Sequence, residues 1–131
     1  MLHDTLQTND IARIYPDGSF TILGRKDNVI NSGGIKVQAE EIERLLQSSI
    51  PVPFVITSVP DRRLGQAVTL LIEGQMEISA LGTKLESVLA SYYRPKYIYT
   101  VNHIPQTGNG KINRKECRVL AESLQLLGRQ E

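Results

Sequence analysis

Three clusters have the residue types and spacing for chemistry. Lys111 follows the turn Pro105-Gln106-Thr107-Gly108-Asn109-Gly110. A lysine behind glycines can approach a phosphate closely, because no side chains crowd the loop and its amides can turn inward. The phosphate-loop motif itself is absent: Pro105 stands where its first glycine is needed, and Ile112 where Ser or Thr should follow the lysine. A solvated lysine ahead of a helix fits the same residues. The second cluster is Gly24-Arg25-Lys26-Asp27-Asn28-Val29-Ile30-Asn31-Ser32-Gly33-Gly34-Ile35-Lys36-Val37. In an extended segment Arg25 and Asp27 point the same way, and Gly33-Gly34 leaves a backbone that another molecule can lie against. It reads equally as a charged surface loop. In the third, Thr8-Asn9-Asp10, a carboxylate at a strand start suits the paired hydroxyls of a ribose, or simply caps a turn.

Other reactive types offer less. His3 and His103 have no Ser, Cys or acid in a triad-like arrangement, and His103 is expected to be exposed. Cys117 falls near the apolar face of a helix and reads as a buried small hydrophobe. Arg94 to Arg118 holds six basic residues against Glu116 alone, beside Tyr92, Tyr93, Tyr97 and Tyr99. That stretch could serve a nucleic-acid surface, except that the tyrosines straddle a helix end and a strand, so some must face the core.

The elements that position these clusters follow from periodicity. Ile11 to Tyr15 and Phe20 to Leu23 predict two strands around Pro16-Asp17-Gly18-Ser19, a hairpin that should lean on something else. Gly24 to Lys36 predicts a polar loop. Ala39, Ile42, Leu45 and Leu46 recur at helical spacing, with Glu40 and Glu41 in the first turn, where the helix dipole favours anions. Val52 to Val59 and Gln66 to Glu73 predict strands joined by Asp61-Arg62-Arg63-Leu64-Gly65. Ile78, Leu81, Leu85, Val88 and Leu89 mark a helix that Arg94-Pro95 should end. Tyr97 to Val101 predicts a third strand. Asn113, with Glu116 three residues on, resembles a capping box opening a last helix through Leu120, Leu124 and Leu127. The fold class expected is α+β: a small three-stranded sheet flanked by helices and preceded by a β-hairpin.

Composition narrows the partners. A chain of 131 residues with 40% apolar and 22% charged residues can bury a core without a metal or disulfide. Its net charge of +1 creates no field that selects nucleic acid or an anionic membrane. One cysteine excludes a disulfide framework, and two distant histidines cannot complete a zinc site with it. The longest apolar stretch, Ala67 to Ile72, is far short of a membrane span. The opening MLHDTLQTND carries acid and no apolar core, unlike a secretory signal. A cytoplasmic setting is the expectation.

Taken together and in order, the clusters resemble the C-terminal end of the acyl-adenylate-forming superfamily of acyl-CoA synthetases, peptide-synthetase adenylation domains and luciferases. Thr8-Asn9-Asp10-Ile11-Ala12 resembles its Thr-Gly-Asp segment, departing at Asn9. Gly24-Arg25-Lys26-Asp27 through Gly33-Gly34, running into Ala39-Glu40-Glu41-Ile42-Glu43, resembles its hinge motif. Pro105 to Arg114 resembles its closing Pro-x4-Gly-Lys-x2-Arg motif. The resemblance implies that Asp10 and Arg25 contact the nucleotide and that Asp27 is the hinge. It implies that Lys111 is the catalytic ammonium of adenylation, and that Ser32, Gly33 and Gly34 line the CoA channel. ATP, CoA and magnesium are the implied cofactors, bound mainly by a large N-terminal domain not present in this sequence.

Residues 1–26 would then be a remnant hairpin of that large domain and residues 27–131 its C-terminal lid. The partners implied are a small-molecule carboxylate and the missing domain, with no nucleic acid, no membrane, no metal held by the lid, and self-association through the orphaned hairpin. No ligation is expected from the chain alone. Ending at Glu131 without a carrier domain favours a stand-alone CoA ligase, and Gly24 to Ile35 is most similar to the o-succinylbenzoate–CoA ligase branch. A binding module for RNA or protein, using the basic tyrosine-bearing side, is the rival class.

Overall fold

The computed structural model describes residues 2–5 and 9–129, so Thr8 of the third cluster lies outside the described residues. β1 (Leu2–Thr5), β2 (Asp10–Ile14) and β3 (Phe20–Arg25) form an antiparallel sheet in that order. The expected hairpin is thus present, with a further strand on its outer edge. Its turn closes through Tyr15 N–H to Ser19 O at 2.9 Å, with Gly18 at φ +89° and Asp17 accepting from the Ser19 amide.

The central sheet follows the order β5 (Ile35–Gln38), β4 (Val29–Ser32), β7 (Gly65–Glu73), β6 (Phe54–Asp61), with β8 (Tyr97–Val101) parallel to β7. β6, β7 and β8 are the three expected strands. Two more, β4 and β5, correct the loop reading of Gly24 to Lys36. They were hidden because each is short and the segment is polar. Gly33 and Gly34, at φ +62° and +84°, supply the two positive dihedrals of a two-residue hairpin turn. Ile30 and Val37 lie opposite one another and are buried, which fixes the register. β6 occupies one edge of β7; β4 at its start and β8 along its second half share the other.

Both faces of β6 and β7 are covered, which is why their sequences run almost continuously apolar. Ile56, Val68, Leu70 and Ile72 pack with Ile42, Leu46, Leu81 and Leu85 from α1 (Ala39–Leu46) and α2 (Ile78–Val88). Val55, Val59, Ala67 and Leu71 pack with Cys117 and Ala121 of α3 (Arg114–Arg129). Some details depart from the helical stripes. Leu45, Ile78, Val88 and Leu127 are exposed. α2 stops before Arg94-Pro95, because Leu89 is already extended at ψ 137° and Ser91–Tyr93 form a separate 3-10 turn.

Candidate functional site

Lys111 sits at the end of a closed loop. Thr107 N–H donates to Lys111 O at 2.7 Å, Gly110 N–H to Thr107 O at 3.0 Å, and Lys111 N–H to Thr107 Oγ1 at 3.3 Å. Gly110 takes φ +78°, a conformation that a larger residue would resist. The Lys111 side chain is exposed and forms no ion pair among the described residues. Behind it, Asn113 Oδ1 accepts the Glu116 N–H at 3.2 Å, as expected of a cap. The Asn113 N–H goes to Pro105 O at 2.9 Å, so the loop itself supplies the acceptor that Glu116 would give in a capping box.

Arg114 anchors this loop to the rest of the fold. Its guanidinium donates to both Glu43 oxygens at 3.0 and 2.7 Å, and Glu43 Oε2 also accepts the Ile56 N–H at 2.8 Å. One carboxylate therefore joins α1, β6 and the start of α3. Cys117, one turn further on, is fully buried, and desolvation pushes its thiol up to about 11, so it is inert at neutral pH.

The glycine turn is held from the opposite end of the sheet. Gly33 N–H donates to Leu64 O at 2.8 Å, Ser32 pairs with Gly65, and Asn31 N–H donates to Gln66 Oε1 at 2.8 Å. Ser32 is half-buried and Gly33 and Gly34 are exposed; Ser32 and Gly33 border a cleft of about 260 Å³ that also includes Leu64, Tyr92, Arg94 and Lys96. The β6–β7 turn beside it is built on Asp61. Oδ1 accepts the Arg63 and Leu64 amides at 2.9 and 3.0 Å, and Oδ2 accepts Lys96 Nζ at 2.6 Å. The Lys96 bond and these amides hold the carboxyl down to about 2.

The two motifs attach at opposite ends of β7. The glycine turn meets β7 at Gly65, whereas Glu73, at its other end, accepts the Ile104 N–H at 2.9 Å where the Lys111 segment departs. Eight residue steps at about 3.3 Å each put these attachment points roughly 26 Å apart.

Asp10 and Arg25 are opposite one another in the β2–β3 register, and Arg25 Nη1 lies 3.5 Å from Asp10 Oδ1. Asn9 has φ +62°, the one positive value at a non-glycine residue among those described. Its short polar side chain tolerates this region, which explains how Asn can stand where the family pattern has glycine. Asp27 lies in a 3-10 turn, Lys26–Asn28, so the extended segment expected to align Arg25 with Asp27 is not formed. The neighbours of exposed Asp27 are tied down: Lys26 N–H to Asn9 O at 2.8 Å, and Arg25 N–H and Asn28 Nδ2 to Glu40 Oε2 at 2.8 and 3.0 Å. Burial opposes ionisation of Glu40, but the bonds from Asn28, Gln38 and Arg25 outweigh it and lower its pKa. α1 also grips the hairpin through Arg13 Nη2 to Glu41 Oε1 at 2.6 Å and Arg44 Nη2 to Leu23 O at 2.8 Å.

The basic, tyrosine-bearing stretch does not form one surface. Tyr97 and Tyr99 stack at 6.2 Å against the α3-side core, Tyr93 bonds Glu41, and Arg114 is paired with Glu43. His103 is exposed, as expected. Glu40, Glu43, Asp61 and Lys96 were missed as a supporting frame. The acidic run after the glycine turn and the Arg ending the lysine motif were visible, but not their pairing.

No family model matches the chain. Among curated proteins it is 38% identical over 122 residues to triostin synthetase I of Streptomyces triostinicus, covering 89% of this chain and 23% of that protein. It is 33% identical over 113 residues to the 2-succinylbenzoate–CoA ligase of Lactococcus lactis subsp. lactis, covering 86% of this chain and 25% of the ligase. It is 35% identical over 117 residues to the 2,3-dihydroxybenzoate-AMP ligase of Bacillus subtilis, covering 86% of this chain and 22% of that enzyme. Among solved structures, an acyl-CoA synthetase (AMP-forming)/AMP-acid ligase II-like protein from Dyadobacter fermentans matches with a TM-score of 0.66 at 32% identity, covering 86% of this chain and 34% of the other. ATP-bound MatB from Rhodopseudomonas palustris has the same fold at a TM-score of 0.76 and 24% identity, covering 89% of this chain and 24% of the other. The chain spans about a quarter of the length of the curated relatives it matches. It is homologous to that part of acid–CoA and acid–AMP ligases, and its fold is that of their C-terminal domain.

Proposed function

We propose that the chain is the mobile lid of an ATP-dependent acid–CoA ligase, inactive until joined to a large N-terminal domain. Residues 1–26 are the last strands of that domain and residues 27–131 the lid. In adenylation a substrate carboxylate oxygen attacks the α-phosphorus of ATP and pyrophosphate leaves. The Lys111 ammonium, delivered between the two anions, stabilises the charge they share in the transition state. Asp10 accepts from the ribose hydroxyls, and Arg25 contacts the nucleotide. The lid then turns about Asp27, withdrawing Lys111 and presenting Ser32, Gly33 and Gly34 as a thin wall for the CoA thiol. The thiol attacks the acyl carbonyl and AMP leaves.

The observation that carries this reading is the roughly 26 Å along β7 between the attachment points of the two motifs, estimated from strand rise. One cleft cannot receive both at once, so two half-reactions at one site call for rotation. Magnesium, in this reading, is held by the large domain; among the described residues no group of three or more His, Cys, Asp or Glu could hold a metal ion. The acid we favour is o-succinylbenzoate, in menaquinone biosynthesis and in the cytoplasm; the support is the likeness of Gly24 to Ile35 to that branch and the 33% identity to one such ligase.

The test is reconstitution. Joined to the large domain of a 2-succinylbenzoate–CoA ligase, the chain should restore o-succinylbenzoate-dependent ATP–pyrophosphate exchange, while the chain alone gives none. Turnover by the chain alone, or a fused, folded protein with no exchange, contradicts the reading.

A further inference from the structure

We infer that Asp61 is a positioning residue, holding the Gly33-Gly34 turn in place through the backbone of Leu64. The geometry divides the work of one carboxylate. Oδ1 accepts the Arg63 and Leu64 amides, which folds the β6–β7 connection back over the side chain. Oδ2 accepts from Lys96 Nζ, one residue before β8, and the Tyr97 hydroxyl stands 3.5 Å away. Leu64, held through its N–H, accepts the Gly33 N–H at its own carbonyl at 2.8 Å. Its side chain lies directly against the turn, with Cδ2 3.1 Å from where a Cβ on Gly33 would stand.

Apart from this bond the hairpin is tied to β7 near its tip by the Ser32–Gly65 pairing and by Asn31 N–H to Gln66 Oε1, and β5 lies at the outer edge of the sheet. The cleft beside the turn is walled by Gly33 and Leu64 and by Lys96, so Asp61 sets several of its walls. A short carboxylate also suits the site, being 9% exposed and fully partnered, whereas a residue selected for solvation alone would project outward.

The functional consequence rests on the ligase reading, in which this turn lines the thiol's path. Asp61 then matters to thioester formation and not to adenylation, although it touches neither substrate.

Two measurements separate the inference from that reading. In this chain, Asp61→Ala should accelerate hydrogen exchange at the Gly33 amide about tenfold, while the Leu70 amide in the centre of β7 is unchanged. Asp61→Asn keeps an oxygen for the two amides and should accelerate it only about twofold to fivefold. If the alanine variant unfolds, Leu70 exchange rises as well and the asparagine variant carries the test. Unchanged Gly33 exchange in a folded variant overturns the positioning role, whatever the enzyme does. In a ligase carrying this chain, Asp61→Ala should raise the KM for CoA about tenfold, with pyrophosphate exchange kept within about twofold and Asp61→Asn partly restoring the thiol step. Faster Gly33 exchange with an unaltered KM for CoA would leave the positioning intact and overturn the assignment of this turn to the thiol path.

Discussion

Arg114 reaches back across 71 positions to grip the Glu43 carboxylate with both terminal guanidinium nitrogens. Three residues after Lys111, this bidentate pair fixes the base of the lysine loop to α1 while leaving the lysine exposed. A planar fork matched to a carboxylate is something lysine cannot reproduce. Arg114→Ala leaves the half-buried Glu43 with the Ile56 amide and should cost about 2 kcal/mol in denaturant unfolding. Arg114→Lys should recover less than half of that loss.

Gly33 and Gly34 respond differently to a methyl group. Both have positive φ, but a Cβ at Gly34 meets open space, whereas one at Gly33 lies 3.1 Å from Leu64 Cδ2. Either alanine should cost about 1–2 kcal/mol from backbone strain. Gly33→Ala should cost the more, and Leu64→Ala in the same chain should reduce the excess. Thermal unfolding of the three variants measures this.

The hairpin is latched to α1 by side chains from both partners. Arg13 holds Glu41, which also accepts the Tyr93 hydroxyl at 3.2 Å, and Arg44 holds Leu23 O. Arg13→Ala should speed hydrogen exchange in β2 and β3 without affecting β6 and β7. Equal acceleration everywhere would mean that the hairpin and the central sheet open as one unit.

Asp61 makes stability depend on acid. Its folded pKa of about 2 lies below the unbound value of 3.8, so ionised Asp61 favours the folded state. That contribution is complete above about pH 4 and disappears as the pH falls through about 2. The stability gap between the parent and Asp61→Asn should therefore be constant from pH 7 to about 4 and close by about pH 2. A gap that is the same at both extremes would mean that shape rather than charge matters at this position.

Much of the frame was legible in the sequence because its signals are local. The Pro-Asp-Gly turn, the apolar runs of β6 and β7, and the Asn113 cap each lie within a few residues of what they specify. β4 and β5 were not legible, because four residues per strand give too little alternation to outweigh two glycines and a run of charge. The parallel docking of β8 on β7 depends on the α2 crossover, which periodicity does not reveal. The supporting frame was hidden for a related reason: Glu40, Asp61 and Glu43 find partners 15, 35 and 71 positions away. Composition could show that these acids were present, but only the folded chain shows whom they meet.

Lys111 gives the most direct test, because its exposed side chain makes no ion pair among the described residues that would confuse stability with catalysis. In a ligase carrying this chain, Lys111→Ala should lower carboxylate-dependent pyrophosphate exchange on the order of a hundredfold or more, with the unfolding midpoint unchanged. Thioester formation from supplied acyl-adenylate should stay within about threefold of the parent, since no transition-state charge meets the ammonium in that step. Equal loss of both half-reactions, or full exchange without the lysine, would contradict the role given to this residue.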